Sequence, residues 1–264
     1  MKDEHLLKDR EFIIKTANEY EGKYNKLLKD IKEKTSYEKY CKGGDLHRGF
    51  YCPSLIYETV FGGAHRGTLK SKKPPANELT HIFKFDANGN LIAVKTEYDT
   101  EFIIKEGNVE IGITFNDKYK DIGCISICEY EDQRIKTYII GSVLWNKTTR
   151  SVFKIQKECY DFSGSDLTVD FYDALYSESY HNYDDEYPAA FDELNALIKE
   201  MFNPEPEMDL SEGTKRHFQY RFKLEDGFLT EYTFHEFNDR PLRKNEENDF
   251  TFVLSKRKRK KIID

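Results

Sequence analysis

Apolar side chains recur at Leu6, Leu7, Phe12, Ile13, Ile14, Ala17, Tyr20, Tyr24, Leu27, Leu28 and Ile31. Their three-and-four spacing predicts one long amphipathic helix over residues 3–34, with a charged opposite face on which Asp30 and Lys34 are solvated neighbours. A stripe of this length more often packs on a sheet of the same chain than builds a coiled coil. A homodimer through this helix stays open. From about residue 80 the period changes to two. Residues 81–85 (His-Ile-Phe-Lys-Phe) and 91–98 (Leu-Ile-Ala-Val-Lys-Thr-Glu-Tyr) flank Asp86-Ala87-Asn88-Gly89-Asn90, and an Asn-Gly pair tolerates the positive φ of a hairpin. Further alternating runs at 101–105, 109–115, 123–130, 134–145 and 151–160 predict strands, with turns at 106–108 and 131–133. Strands joined this tightly pair antiparallel.

A weak internal repeat extends the pattern. Phe83-Lys84-Phe85-Asp86-Ala87-Asn88-Gly89-Asn90-Leu91 resembles Phe222-Lys223-Leu224-Glu225-Asp226-Gly227-Phe228-Leu229, and each copy precedes a second aromatic strand ending near Phe115 and Phe252. Between the copies, Pro188 opens a helical pattern through residue 202, with Phe191, Leu194, Leu197, Ile198 and Met201 on one face and Asn203-Pro204-Glu205-Pro206 as its stop. The expected architecture is α+β: a long N-terminal helix and an extended, twisted antiparallel β-meander of repeated hairpins, with one further helix inserted near 188–202. A single domain spanning 1–264 is expected. It comprises the helix (1–34), a Gly-rich connection (41–78), a first meander (79–175), the inserted helix, a final hairpin region (215–254) and a basic tail (255–264).

Composition narrows the class. Of 264 residues, 18 are Tyr and 19 Phe, enough aromatic mass to build a core although only 38% of the chain is hydrophobic. The mean hydropathy of -0.76, the absence of a spanning apolar run and a start of Met-Lys-Asp-Glu predict no membrane association and no signal peptide. Five scattered cysteines fit a reducing compartment, so a cytoplasmic location is expected, and the Asn146-Lys147-Thr148 sequon has no role there. The net charge is -7, yet residues 256–261, from Lys256 to Lys261, are all basic. That tail could meet phosphates, but it lacks interleaved aromatics and follows an acidic body, so nucleic-acid binding as the main task is not expected.

No motif specifies a reaction. The most unusual stretch holds two glycine pairs before His-Arg-Gly: Gly43-Gly44 with His47, Arg48 and Gly49, then Gly62-Gly63 with His65, Arg66 and Gly67. His47, Arg48, His65 and Arg66 form an alternative candidate site for a carboxylate or phosphate ligand, or for an enzyme's substrate. Neither copy has phosphate-loop spacing, so turn chemistry between helix and sheet is the simpler reading. Cys41, His47, Cys52 and His65 lack the close pairs of a zinc site, and no metal or cofactor is expected. Cys52 near an imidazole could be activated, but nothing else supports a nucleophile. Cys124 and Cys128 share one strand face and read as small buried hydrophobes. Residues 176–187 combine four tyrosines with four acids, and Tyr180, Tyr183, Asp184, Asp185, Glu186 and Tyr187 are the candidate residues for binding a basic protein partner. A solvated acidic loop before a helix is the bland alternative.

Several local sequences resemble a group of uncharacterised Firmicutes proteins from the polymorphic-toxin and immunity-protein neighbourhood. They are Cys52-Pro53-Ser54-Leu55-Ile56-Tyr57, Arg66-Gly67-Thr68-Leu69, Phe83-Lys84-Phe85-Asp86 before Asn-Gly, and Glu101-Phe102-Ile103-Ile104 before Ile111-Gly112-Ile113-Thr114-Phe115. The resemblance covers about residues 40–160 and the final hairpin, and it brings no catalytic motif. It implies a cytoplasmic, non-catalytic protein that binds a cognate toxin domain and neutralises it by occlusion. The 85–91 segment also resembles a single Rhs/YD-type repeat, without the tandem array of a toxin shell.

Overall fold

The computed structural model describes residues 4–60, 64–145, 150–162, 166–176, 214–237 and 249–254. Among them the N-terminal stripe forms two helices, α1 (Glu4–Tyr20) and α2 (Tyr24–Lys34), where the spacing predicted one. Gly22 sits between them at φ +68°, a left-handed conformation in which the chain leaves the helical path and re-enters it with the apolar stripe still facing the core. A short α3 (Tyr57–Val60) and a 3₁₀ turn (Gly49–Tyr51) are the other helical pieces among the described residues.

The strands are β1 (Tyr37–Lys42), β2 (Thr68–Lys70), β3 (Leu79–Phe85), β4 (Leu91–Lys95), β5 (Asp99–Glu106), β6 (Val109–Asn116) and β7 (Ile122–Glu131). They continue with β8 (Arg134–Trp145), β9 (Arg150–Asp161), β10 (Asp166–Leu175), β11 (Thr214–Glu225), β12 (Phe228–Glu236) and β13 (Asp249–Val253). All belong to one sheet in the order β13-β12-β11-β10-β9-β8-β7-β6-β5-β4-β3-β1-β2, and every pairing is antiparallel. From β3 to β13 each strand pairs with the next in sequence; short connections require this from β3 to β10 and between β11 and β12, whereas longer segments separate β10 from β11 and β12 from β13. The Asp86–Asn90 loop holds its shape through Asp86, whose Oδ1 accepts from the backbone N–H groups of Asn88 (2.9 Å) and Asn90 (2.8 Å). Gly89 takes the left-handed position there. The predicted helix at 188–202 and the tail at 255–264 lie outside the described residues.

The two faces of the sheet have different covers. On one, α1 lies across β7, β8 and β9. Ile13 and Ala17 of α1 and Tyr24 of α2 pack with Phe102, Ile113, Phe115, Ile125 and Ile155, and Tyr24 meets the rings of Phe102 and Phe115 edge-on at 5.9 and 5.6 Å. Each buried Ile or Phe side chain among them stabilises the fold by about 1.5–3 kcal/mol relative to exposure. Lys157 of β9 donates to Asp9 of α1 at 2.6 Å, which fixes the helix along the strand.

The opposite face is covered by the Gly-rich connection. This segment does more than the bridging of helix and sheet that its glycines suggested: it begins in β1, returns to the sheet edge as β2, and its residues 47–60 lie over β5 to β10. Ile56 is fully buried there with Tyr138, Tyr160, Leu167 and Val169.

Candidate functional site

Of the candidate ligand residues, Arg48 has the most constrained surroundings. It adopts φ +60°, a left-handed conformation that costs a non-glycine residue about 1–2 kcal/mol, and its side chain enters the sheet. Nε donates to both oxygens of Glu101 (2.9 and 3.0 Å), Nη2 to Ser126 Oγ (2.8 Å) and Nη1 to Glu110. Ser126 Oγ also donates to Glu101 at 2.8 Å. Strand periodicity explains the convergence: Glu101 of β5, Gly112 of β6 and Ser126 of β7 point to the same face, with Gly112 opposite Ser126. A Cβ at Gly112 would overlap Glu101, Arg48 and Ser126, so only glycine leaves room for the guanidinium. Arg48 is 3% exposed and Glu101 equally buried. Burial opposes ionisation of both, but their mutual attraction outweighs it, and Glu101 stays below the usual carboxylate range while Arg48 stays cationic.

His47 Nδ1 lies 3.0 Å from the Tyr138 hydroxyl, and its Nε2 stands 3.4 Å from Glu101. Burial and the adjacent Arg48 cation favour the neutral imidazole against the pull of Glu101. His81, stacked on Phe83 at 6.1 Å, is pushed down to about 4 by burial and is neutral at ordinary pH.

A second buried centre fastens the connection further along the sheet. Glu158 of β9, 1% exposed, accepts from Ser54 Oγ (3.0 Å) and from the Tyr160 hydroxyl, which itself accepts from the Leu55 N–H at 3.1 Å. The Tyr57 N–H donates to Ser54 Oγ (3.1 Å) and the Tyr57 hydroxyl to Gln156 (2.5 Å). Desolvation pushes the Glu158 carboxyl up to about 7, against the opposing pull of these hydroxyls and of Arg66. Among the described residues its Oε1 has no hydrogen-bond partner.

Arg66 locks the same loop from above. Its guanidinium donates to the carbonyls of Cys52 and Ser54, and its Nε lies 3.6 Å from Glu58. His65 forms an exposed pair with Asp45 at 3.4 Å. The four candidate residues therefore do not converge on one open pocket: His47 and Arg48 serve a buried network, Arg66 clamps a loop to its own carbonyls, and His65 sits at the rim.

The thiols read similarly. Cys52 is buried and its thiol is pushed up to about 11, away from the thiolate a nucleophile needs. Cys124 and Cys128 do share a face, and burial pushes Cys128 up to about 12. Among the described residues no group of three or more His, Cys, Asp or Glu side chains could hold a metal ion. No helix of the described residues is long and apolar enough to cross a membrane. The candidate partner residues Tyr180, Tyr183, Asp184, Asp185, Glu186 and Tyr187, the Asn146 sequon and the basic run Lys256 to Lys261 lie outside the described residues.

A feature that strand prediction alone did not bring out is the aromatic surface at the C-terminal end of the sheet. The registers Phe171↔Phe218, Tyr220↔Phe234↔Phe250 and Phe222↔Tyr232↔Phe252 place these rings on one face, the face the connection covers farther along. Phe234 stacks on Phe250 and Tyr232 on Phe252, each at 5.0 Å. On β13 the cover thins: Phe250 is 43% and Phe252 44% exposed. Among the described residues β13 is the last strand of the sheet and pairs with β12 alone. The signal was present in the every-second-residue spacing of Phe250 and Phe252, but spacing cannot show which aromatics stay uncovered.

Comparison with protein-family models, with curated proteins and with solved structures finds no match to the chain.

Proposed function

We propose that this chain is a non-catalytic protein-binding module of the immunity type, which neutralises a bacterial toxin domain in the cytoplasm by covering it. The observation that carries the reading is the aromatic face of β11, β12 and β13. It ends in two rings that keep nearly half their surface, Phe250 and Phe252, on a terminal strand. Stacked aromatics offer large contact area at low entropic cost, and a terminal strand offers backbone groups to a partner. The resemblance of residues 40–160 to immunity-type proteins points to the same role. The acidic chain supports association with a basic cleft, where long-range attraction speeds encounter.

The alternative, a small ligand or substrate held by the Gly/His/Arg region, loses weight because Arg48 and Arg66 spend their guanidinium nitrogens on Glu101, Glu110, Ser126 and loop carbonyls. The test is capture from native-host lysate with the purified chain as bait, at low and moderate salt, read by mass spectrometry. A single stoichiometric partner whose activity the chain suppresses supports the reading. A bait that returns clean, or a partner whose activity is untouched, counts against it.

A further inference from the structure

We propose that the other face of the same C-terminal strands binds a mononucleotide-like ligand, a planar ring bearing a phosphate. A cleft of about 420 Å³ opens there, lined by Gln219 and Arg221 of β11, Thr233 and His235 of β12, and Phe237 just beyond. That volume lies within the range of small-molecule sites. The register places Gln219 opposite His235 and Arg221 opposite Thr233, so four polar side chains form a rectangle on one sheet surface.

Two features make this more than a polar stretch of strand. The first is a fixed guanidinium. Arg221 Nε and Nη2 both donate to Gln219 Oε1 (3.2 and 3.1 Å), and Gln219 Nε2 donates to Asp170 Oδ1 (3.3 Å), which also lies 2.9 Å from His217 Nε2. Asp170 is thus occupied beside the cleft, while Arg221 is exposed and, among the described residues, keeps Nη1 uncommitted and has no carboxylate partner. Beside it the Thr233 hydroxyl sits 3.1 Å from that of Thr251. A guanidinium with hydroxyls at a second angle suits a tetrahedral oxyanion better than a planar carboxylate.

The second feature is a rigid aromatic wall. Tyr172, His217 and Phe237 form a continuous stack, with ring centroids 4.3 and 4.4 Å apart and interplanar angles of 11° and 15°. His235 meets Phe237 edge-on at 4.5 Å. Phe237 ends the stack 46% exposed, held in place and available to a further flat ring. Stacking on such a ring is tolerant of base identity, so the site reads ring plus phosphate before it reads sequence. On the same face, Lys223 opposite Glu231 completes the charged surroundings of Arg221.

The experiment is isothermal titration of the full-length chain with the four 5′-ribonucleoside monophosphates, with adenosine and inorganic phosphate as single-feature controls. Saturable 1:1 binding of at least one mononucleotide is expected, with both controls weaker. Arg221→Gln and Phe237→Leu, each checked for an unchanged circular dichroism spectrum, should weaken it by about tenfold or more. Because Phe237 also supports His217, Arg221→Gln is the variant that decides. No saturable binding up to about 1 mM nucleotide, or unchanged affinity in Arg221→Gln, overturns the proposal. Either failure leaves the protein-binding reading intact, since the aromatic docking face lies on the other side of the sheet.

Discussion

Glu158→Gln should make the protein more stable at mildly alkaline pH and leave it nearly unchanged at mildly acidic pH. Glu158 is a carboxyl with 1% exposure, and burial raises its pKa from an ordinary 4.5 to about 7. The folded chain therefore binds this proton more tightly than the unfolded chain. The stability this group contributes is fully present below about pH 4.5 and is lost as pH rises through about 7. The rise from 4.5 to about 7 corresponds to roughly 3 kcal/mol between the two limits. Glutamine mimics the protonated acid: its carbonyl still accepts from Ser54 and Tyr160, and its amide replaces the unpartnered Oε1, but it never ionises. Urea denaturation of both proteins at about pH 5 and about pH 8 isolates the effect, because other titrations such as that of Asp173 cancel in the difference. The variant should lie within about 1 kcal/mol of the parent at the lower pH and exceed it by up to about 3 kcal/mol at the higher. A variant that is less stable at both, or a difference independent of pH, would refute the picture of Glu158 as a neutral hub beneath the loop.

Three further outcomes follow from the same geometry. Arg48→Ala strands Glu101 as a buried, unpaired carboxylate and should cost about 3–5 kcal/mol in chemical denaturation, whereas Arg48→Met with Glu101→Leu should recover much of that loss. A double variant no better than the single one would mean the connection depends on the ion pair itself. Native Cys52, with its thiol pushed up to about 11, should resist iodoacetamide at about pH 8 and react only after unfolding, as peptide mass spectrometry would show. Lysine at Asp184, Asp185 and Glu186 should weaken partner binding and flatten its salt dependence while the far-ultraviolet spectrum is retained; unchanged affinity would remove that acidic segment from the interface.

The meander was legible because its pairings are local. Period-two runs between Asn-Gly, Gly-Asn and Asp-Gln turns dictate antiparallel neighbours, and β3 to β9 fall close to the ranges that alternation marks. The helical stripe was legible too, but not its break, because Gly22 interrupts the backbone without disturbing the apolar spacing. β1 escaped notice for a physical reason. Tyr37-Glu38-Lys39-Tyr40-Cys41-Lys42 has one fully buried position, Cys41, and its partner β3 lies some forty residues away across the connection. The charged network was illegible for the same reason: Arg48 meets residues 53, 62 and 78 positions distant, and only the sheet brings them together. The single local trace was Gly112 inside an otherwise β-branched and aromatic strand, the mark of a close approach. The two His-Arg-Gly copies looked equivalent in sequence, yet one arginine is a buried anchor and the other a loop clamp, because burial is set by the sheet and not by the motif.

The central claim, that the chain works by covering a protein partner with its terminal aromatic face, rests most directly on one affinity comparison. The partner captured from native-host lysate is titrated against the parent chain and against Phe250→Ser/Phe252→Ser, both verified as folded. Loss of two stacked, half-exposed rings at an interface should weaken binding by at least about tenfold and relieve suppression of the partner's activity in parallel. Equal affinity for both chains, or no partner that binds the parent at all, would contradict the account.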